Sequence, residues 1–126
     1  MKAEWSKHWK ASKQPRKQRK YQANLPHHLV HKLLSSALTP ELRKKYTKRN
    51  VPIHTGDTVK VMRGQFKGKT GKVERVLPRY QRIHVAGATQ LKRDGSKIPY
   101  PIHPSKVRIT ELNLDDKKRA ETLQRK

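Results

Sequence analysis

Across residues 51–110 apolar side chains return at every second position, and turn-forming residues interrupt the runs at short intervals. Val59 and Val61 alternate with Thr58, Lys60 and Met62; Ile83 and Val85 alternate with Arg82 and His84; Ile98, Tyr100 and Ile102 keep the same spacing. A period of two sends neighbouring side chains to opposite faces, so these runs read as half-buried β-strands. Asp94-Gly95 is a two-residue hairpin signal, and Pro78, which has no amide to donate, ends the strand before it. About five or six short strands in such a stretch predict a small closed barrel, because closure removes exposed strand edges. Val59, Val61, Val73, Ile83, Val85, Ile98, Ile102, Val107 and Ile109 form the expected core.

The flanks follow other rules. From His27 to Leu34 the apolar residues at positions 29, 30, 33 and 34 make a one-sided stripe, a weak helical signal. Thr39-Pro40-Glu41-Leu42 supplies an N-cap, a first-turn proline and an early acid, and Arg43, Lys44 and Lys45 follow where cations suit the helix dipole. A short helix near residues 40–46 is predicted. Asp115-Asp116 and the cations after it have the same polarity, which predicts a terminal helix from about 116 to 124. The organisation expected is therefore a basic extended tail over 1–24, a short helical basic segment over 25–50, the barrel over 51–110 and a C-terminal helix within 111–126.

Charge decides what such a molecule meets. Of 126 residues only 32% are hydrophobic while 33% are charged, so a small core with long basic appendages is all the chain can build. The 32 Lys and Arg against nine acids give a formal net charge of +23, a field that selects a polyanion. A membrane surface is the second candidate, but neither an amphipathic basic helix with a large apolar face nor a lipidation signal is evident. Residues 1–20 hold no apolar run suited to a signal peptide, and no transmembrane run occurs, so a soluble cytoplasmic protein is expected. With no cysteine, disulfides, thiolate metal sites and thiol nucleophiles are excluded.

The cations are not evenly spread. Residues 1–50 hold 14 basic and two acidic side chains, residues 51–110 hold 13 and three, and residues 111–126 hold five and four. Head and middle are the parts that face the polyanion. In the tail Lys7, Lys10, Lys13, Arg16, Lys17, Arg19 and Lys20 interleave with Trp5, Trp9 and Tyr21. Alone in water this composition is expected to stay disordered; on RNA its aromatics can stack on unpaired bases.

Gly64-Gln65-Phe66-Lys67-Gly68-Lys69-Thr70-Gly71 joins two predicted strands and admits three readings. Gly68-Lys69-Thr70 matches the end of a nucleotide-binding P-loop, but that motif needs glycine five residues before Gly68, where Arg63 stands. The loop would also have to open a helix, whereas residues 72–77 read as strand. A second reading is structural: the glycines permit positive φ and the lysines are solvated. The third is nucleic-acid recognition, with Arg63, Lys67, Lys69 and Lys72 on phosphates, Gln65 beside them, and the Gly68 and Gly71 backbone close to the chain of the ligand. Phe66 either stacks on a base or sugar, or caps the end of the barrel. Outside the loop, Lys13, Arg16, Lys17, Arg19, Arg43, Lys44 and Lys45 are the candidate RNA contacts.

Gly56-Asp57-Thr58-Val59-Lys60-Val61, followed by Gly64, Lys67-Gly68 and Gly71-Lys72-Val73, resembles the KOW motif. The surrounding chain resembles the family of the universal large-subunit ribosomal protein number twenty-four, archaeal and eukaryotic branch. Residues 35–43 and 102–107 are similar to segments of that branch, and the three segments occur in the family's order over roughly residues 25–118. The resemblance implies an SH3-like KOW barrel bound to domain I of the large-subunit ribosomal RNA near the exit of the peptide tunnel. It also implies a role in early subunit assembly, neighbouring large-subunit proteins and factors docking near the exit as partners, and Gly71 as the motif's characteristic glycine. Residues before 24 depart from the pattern, so it assigns them no contacts. Charge, alternation and turn chemistry by themselves reach a small basic barrel that binds nucleic acid.

No enzyme, metal or cofactor is expected. His27, His28 and His31 offer two imidazoles at helical spacing, but without cysteine or a nearby carboxylate the ligand set is incomplete. His103-Pro104-Ser105 brings a base and a hydroxyl together with no acid beside them. Two binding rivals differ in class. A KOW-containing transcription elongation factor would place a folded α/β domain before the barrel, which residues 1–50 are too basic to supply. A DNA-compacting protein would use the same charges without selecting for shape.

Overall fold

The computed structural model describes residues 5, 6, 8 and 11–125. It is mainly β with short helices. Three elements precede the central sheet's hairpins: helix α1 (Pro15–Ala23), helix α2 (His27–Leu33) and strand β1 (Ser35–Leu38). Helix α3 (Pro40–Tyr46) and strand β2 (Asn50–Pro52) follow. Then come β3 (Thr58–Val61), β4 (Thr70–Leu77), β5 (Arg82–Val85), β6 (Thr89–Leu91), β7 (Lys97–Pro99), β8 (Val107–Glu111) and helix α4 (Lys117–Gln124).

Six strands pair in the order β2-β1-β8-β3-β4-β5, and β6 pairs with β7 in a separate two-stranded ribbon. The sheet is mixed: β1 runs parallel to β8, with Ala37 opposite Arg108 and Leu38 opposite Ile109, and the other pairs are antiparallel. Its ladder is not closed, because β2 and β5 remain at its ends. An isolated bridge between Ile83 and Ile102 lies on β5, and Pro52 leaves β2 short of a donor at the other end.

Local sequence explains several elements. Thr39 takes the extended N-cap conformation and Pro40 opens α3, which ends at Thr47 in the left-handed region. β4 stops at Leu77, and Pro78 begins a 3-10 turn. Asp116 caps α4 by accepting the Lys118 amide at 3.0 Å. The Asp94-Gly95 hairpin exists, but its connection is longer than two residues: Lys92 donates to Ser96 O at 2.9 Å and Asp94 Oδ1 accepts from the Ser96 amide and hydroxyl.

The core gathers Leu38, Val51, Ile53, Val59, Val61, Phe66, Val73, Ile83, Val85, Ile102, Val107, Ile109 and Leu123. Eight of the nine expected core residues are buried; Ile98 is not, being 38% exposed on the two-stranded ribbon, where Leu91 also faces outward. That ribbon is not paired with the six-stranded sheet, and its residues are exposed except for half-buried Pro99. Strand β1 is a second departure from expectation: it lies between the two pieces of the segment read as helical, the stripe that forms α2 and the capped helix α3. It forms because Ser36 Oγ donates to Val107 O at 2.6 Å and Thr39 N to Ile109 O at 3.1 Å, partners distant in sequence.

A buried ion pair ties α4 to the sheet. Arg119 Nη1 and Nη2 meet the two Asp57 carboxylate oxygens at 2.6 and 2.7 Å, a bidentate fork. The same guanidinium donates to Asn113 O and Pro52 O, while the Asp57 carboxylate accepts the amides of His54 and Asn113. Asp57 is thus the fully buried centre of a network joining the β2–β3 turn, the chain after β8 and α4.

Candidate nucleic-acid interface

The β3–β4 connection is a tight turn held by its own backbone. Gly68 N donates to Val61 O at 2.8 Å, Val61 N to Lys69 O at 2.8 Å, and Lys67 N to Gly64 O at 3.1 Å. Gly64 and Gly68 sit at φ of +97° and +91°, which side-chain-bearing residues rarely adopt. Arg63, Gln65, Lys67, Gly68 and Lys69 are exposed around the turn, and Lys72 is exposed on β4.

Phe66 behaves differently. It is 8% exposed and belongs to the core, with its ring centroid 5.2 Å from that of Tyr100. Of its two sequence readings the capping one is the one the packing supports, because a ring so placed has no free face for a base. Lys69 covers it, with Nζ 5.1 Å from the ring centroid and 3.3 Å from Gly87 O.

Gly71, half-buried opposite Val59 on β3, owes its identity to a close approach. A Cβ there would lie 2.4 Å from the Ala86 carbonyl oxygen, closer than any side chain permits. Gly71 therefore serves strand packing, and its neighbours in the loop carry the charge.

The other candidates occupy separate elements. Lys13 precedes α1; Arg16, Lys17 and Arg19 are exposed on it, and no residue of that helix is buried. An extended tail is thus replaced by a helix over Pro15–Ala23, favoured by proline at its first position and a run of good helix formers. Trp5 lies 6.3 Å from Tyr21 between ring centroids, so one tail aromatic folds back on the helix. Lys7, Trp9 and Lys10 lie outside the described residues. On α3, Lys44 and Lys45 are exposed, but Arg43 is half-buried and donates from Nε to Leu38 O at 2.9 Å. Part of what Arg43 does is structural.

The structure adds residues that sequence reading does not nominate. Arg82, Tyr100, His103 and Lys106 join Arg63 and Gln65 around a concavity of about 310 Å3 beside the turn. His103 and Ser105 do pair, with Nδ1 2.8 Å from Oγ, but the same Nδ1 accepts the Ser105 amide and caps a 3-10 turn over Pro104–Lys106. Burial, reinforced by the charges of Arg82 and Lys106, holds the His103 imidazole below its ordinary value of 6.5. The signal for this cluster lies in the 102–107 segment, but only folding brings it to the β3–β4 turn. His27 and His28 are exposed on α2, and among the described residues no group of three His, Cys, Asp or Glu is arranged to hold a metal. No helix among the described residues is long and apolar enough to cross a membrane.

Fold and surface together define a small, mainly β protein of a strongly cationic class. Comparison with known proteins narrows the class. The family model that describes the eukaryotic L26 ribosomal proteins and their archaeal L24 counterparts matches residues 12–126, and the chain belongs to that family. A large ribosomal subunit protein uL24 of Methanoculleus marisnigri is 51% identical over 112 residues, covering 89% of this chain and 93% of the relative. The proteins of the same name from Nanoarchaeum equitans and Methanothrix thermoacetophila are each 48% identical, over 96% and 90% of this chain and 81% and 98% of theirs.

Proposed function

We propose that this chain is a structural constituent of the large ribosomal subunit that binds large-subunit ribosomal RNA and works in cytoplasmic ribosomes. The observation that carries this reading is its identity of about half, over nine-tenths of its length, to archaeal large-subunit proteins. Family membership removes the ground for the elongation-factor reading and suits a non-enzymatic role.

The finer reading is ours as well. We read the six-stranded sheet as an SH3-like KOW barrel, supported by the KOW-like residues around Gly71 and by the Ile83–Ile102 bridge at one end of the ladder. The cationic turn then grips domain I of the RNA near the tunnel exit. Neighbouring ribosomal proteins and exit-docking factors are further partners, and the contacts support early assembly. Basic α1 and α3 drape over other RNA surfaces, and linking several weak grips raises the effective concentration of each.

Co-sedimentation tests the central claim. The full chain should remain with large subunits through high-salt washing, and release into the supernatant at moderate salt would contradict it. Competition between structured RNA and duplex DNA at matched phosphate should favour the RNA; equal affinity would return the DNA-compacting alternative.

A further inference from the structure

The concavity beside the β3–β4 turn combines an apolar floor with a cationic rim. Phe66 and Tyr100, inclined at 53° to each other, form part of the floor. Arg63, Arg82 and Lys106 stand around it, and among the described residues no carboxylate lines it. Arg82 is held in place from Nη1 by the carbonyls of Gln81 at 3.1 Å and Tyr80 at 3.4 Å, and a guanidinium has further donors for a ligand. His103 contributes a directed donor rather than a charge. Its Nδ1 accepts the Ser105 amide, so the neutral ring carries its proton on Nε2.

We infer that this concavity receives a single unpaired nucleotide of RNA, its phosphate on Arg63, Arg82 and Lys106 and its base against Tyr100, with His103 donating to a base acceptor. Size is compatible with one nucleotide: pockets for small ligands run from about 300 to 1,000 Å3, and this one, at about 310 Å3, lies at the small end of that range. Chemistry argues for an unpaired one, since a base in a duplex is stacked on both faces and cannot enter. The inference rests on the reading above that the polyanion is RNA, and it names the feature of RNA that this surface selects.

The test uses the full chain and two RNA hairpins of equal phosphate number, one fully paired and one with a single bulged nucleotide, at matched salt. The bulged RNA should bind about tenfold tighter, in keeping with the stacking energy of one base on an aromatic ring. Tyr100→Leu, which keeps apolar contact with Phe66, should abolish that advantage. Should this variant fold poorly, the pair Arg82→Gln and Lys106→Gln decides instead, by weakening the bulged RNA more than the paired one. Equal affinity of the unaltered chain for both hairpins overturns the inference. In a second arm, uridine and adenosine monophosphates should shift the His103 side-chain resonances. If inorganic phosphate shifts them equally, the concavity is an anion site only and the inference fails. Failure here with association to large subunits intact sinks this inference alone, whereas failure of co-sedimentation sinks the reading beneath it.

Discussion

Phe66 stands in a turn crowded with cations, yet its ring belongs to the core. Its truncation is therefore a question of stability: Phe66→Ala should cost about 3–5 kcal/mol, measured as a fall in the urea midpoint, because a large buried ring leaves a cavity. Gly71→Ala should also destabilise, by about 1–3 kcal/mol or more, since the added methyl meets the Ala86 carbonyl at 2.4 Å and the backbone has to shift. His103 carries a pH signature. Its folded value is depressed, so as pH falls below 6.5 the unfolded chain takes a proton that the folded chain resists, and stability declines with it. His103→Asn keeps an acceptor for the Ser105 amide without a titrating ring. Its denaturation midpoint should drop less than that of the unaltered chain between about pH 7.5 and 5.5.

Among the elements, α4 forms over Lys117–Gln124 where a terminal helix is expected, but its part in the packing is not foreseen: Leu123 lies in the core, Arg119 is buried against Asp57, and Lys48 Nζ donates to Thr122 O. Arg119→Met should cost about 3–5 kcal/mol by leaving the Asp57 carboxylate buried without its counter-charge. Combining it with Asp57→Asn should cost less than the sum of the single changes, and a double-mutant cycle followed by thermal denaturation measures the difference. What can be read from the chain alone follows the range of the forces involved. Thr39-Pro40-Glu41 and Pro78 act within one turn, so the bounds of α3 and the end of β4 are legible. Strand β1 and the Asp57–Arg119 pair depend on residues far along the chain, and no local pattern in Ser35–Leu38 or around Asp57 announces them. At the candidate interface the exposed lysines of the turn are legible because charge and glycine lie together in sequence. Arg82, Tyr100 and Lys106 are not, because only the folded sheet sets them beside Arg63.

For the molecule as a whole, the excess of cations is arranged on several surfaces of one small body: the turn after β3, the exposed helix α1 and the last turn of α3. If about eight phosphates are neutralised, the logarithm of RNA affinity should fall with the logarithm of salt at a slope of about −6 to −7, and a slope shallower than about −3 would contradict multivalent gripping. Replacing Arg63, Lys67, Lys69 and Lys72 together by Gln should make the slope shallower by about 3 without lowering the melting temperature appreciably. The Asp57–Arg119 fork has a temporal side too. During synthesis the basic helices α1 and α3 leave the ribosome well before the guanidinium that neutralises the Asp57 carboxylate. A nascent copy thus displays its adhesive charges before its interior can lock.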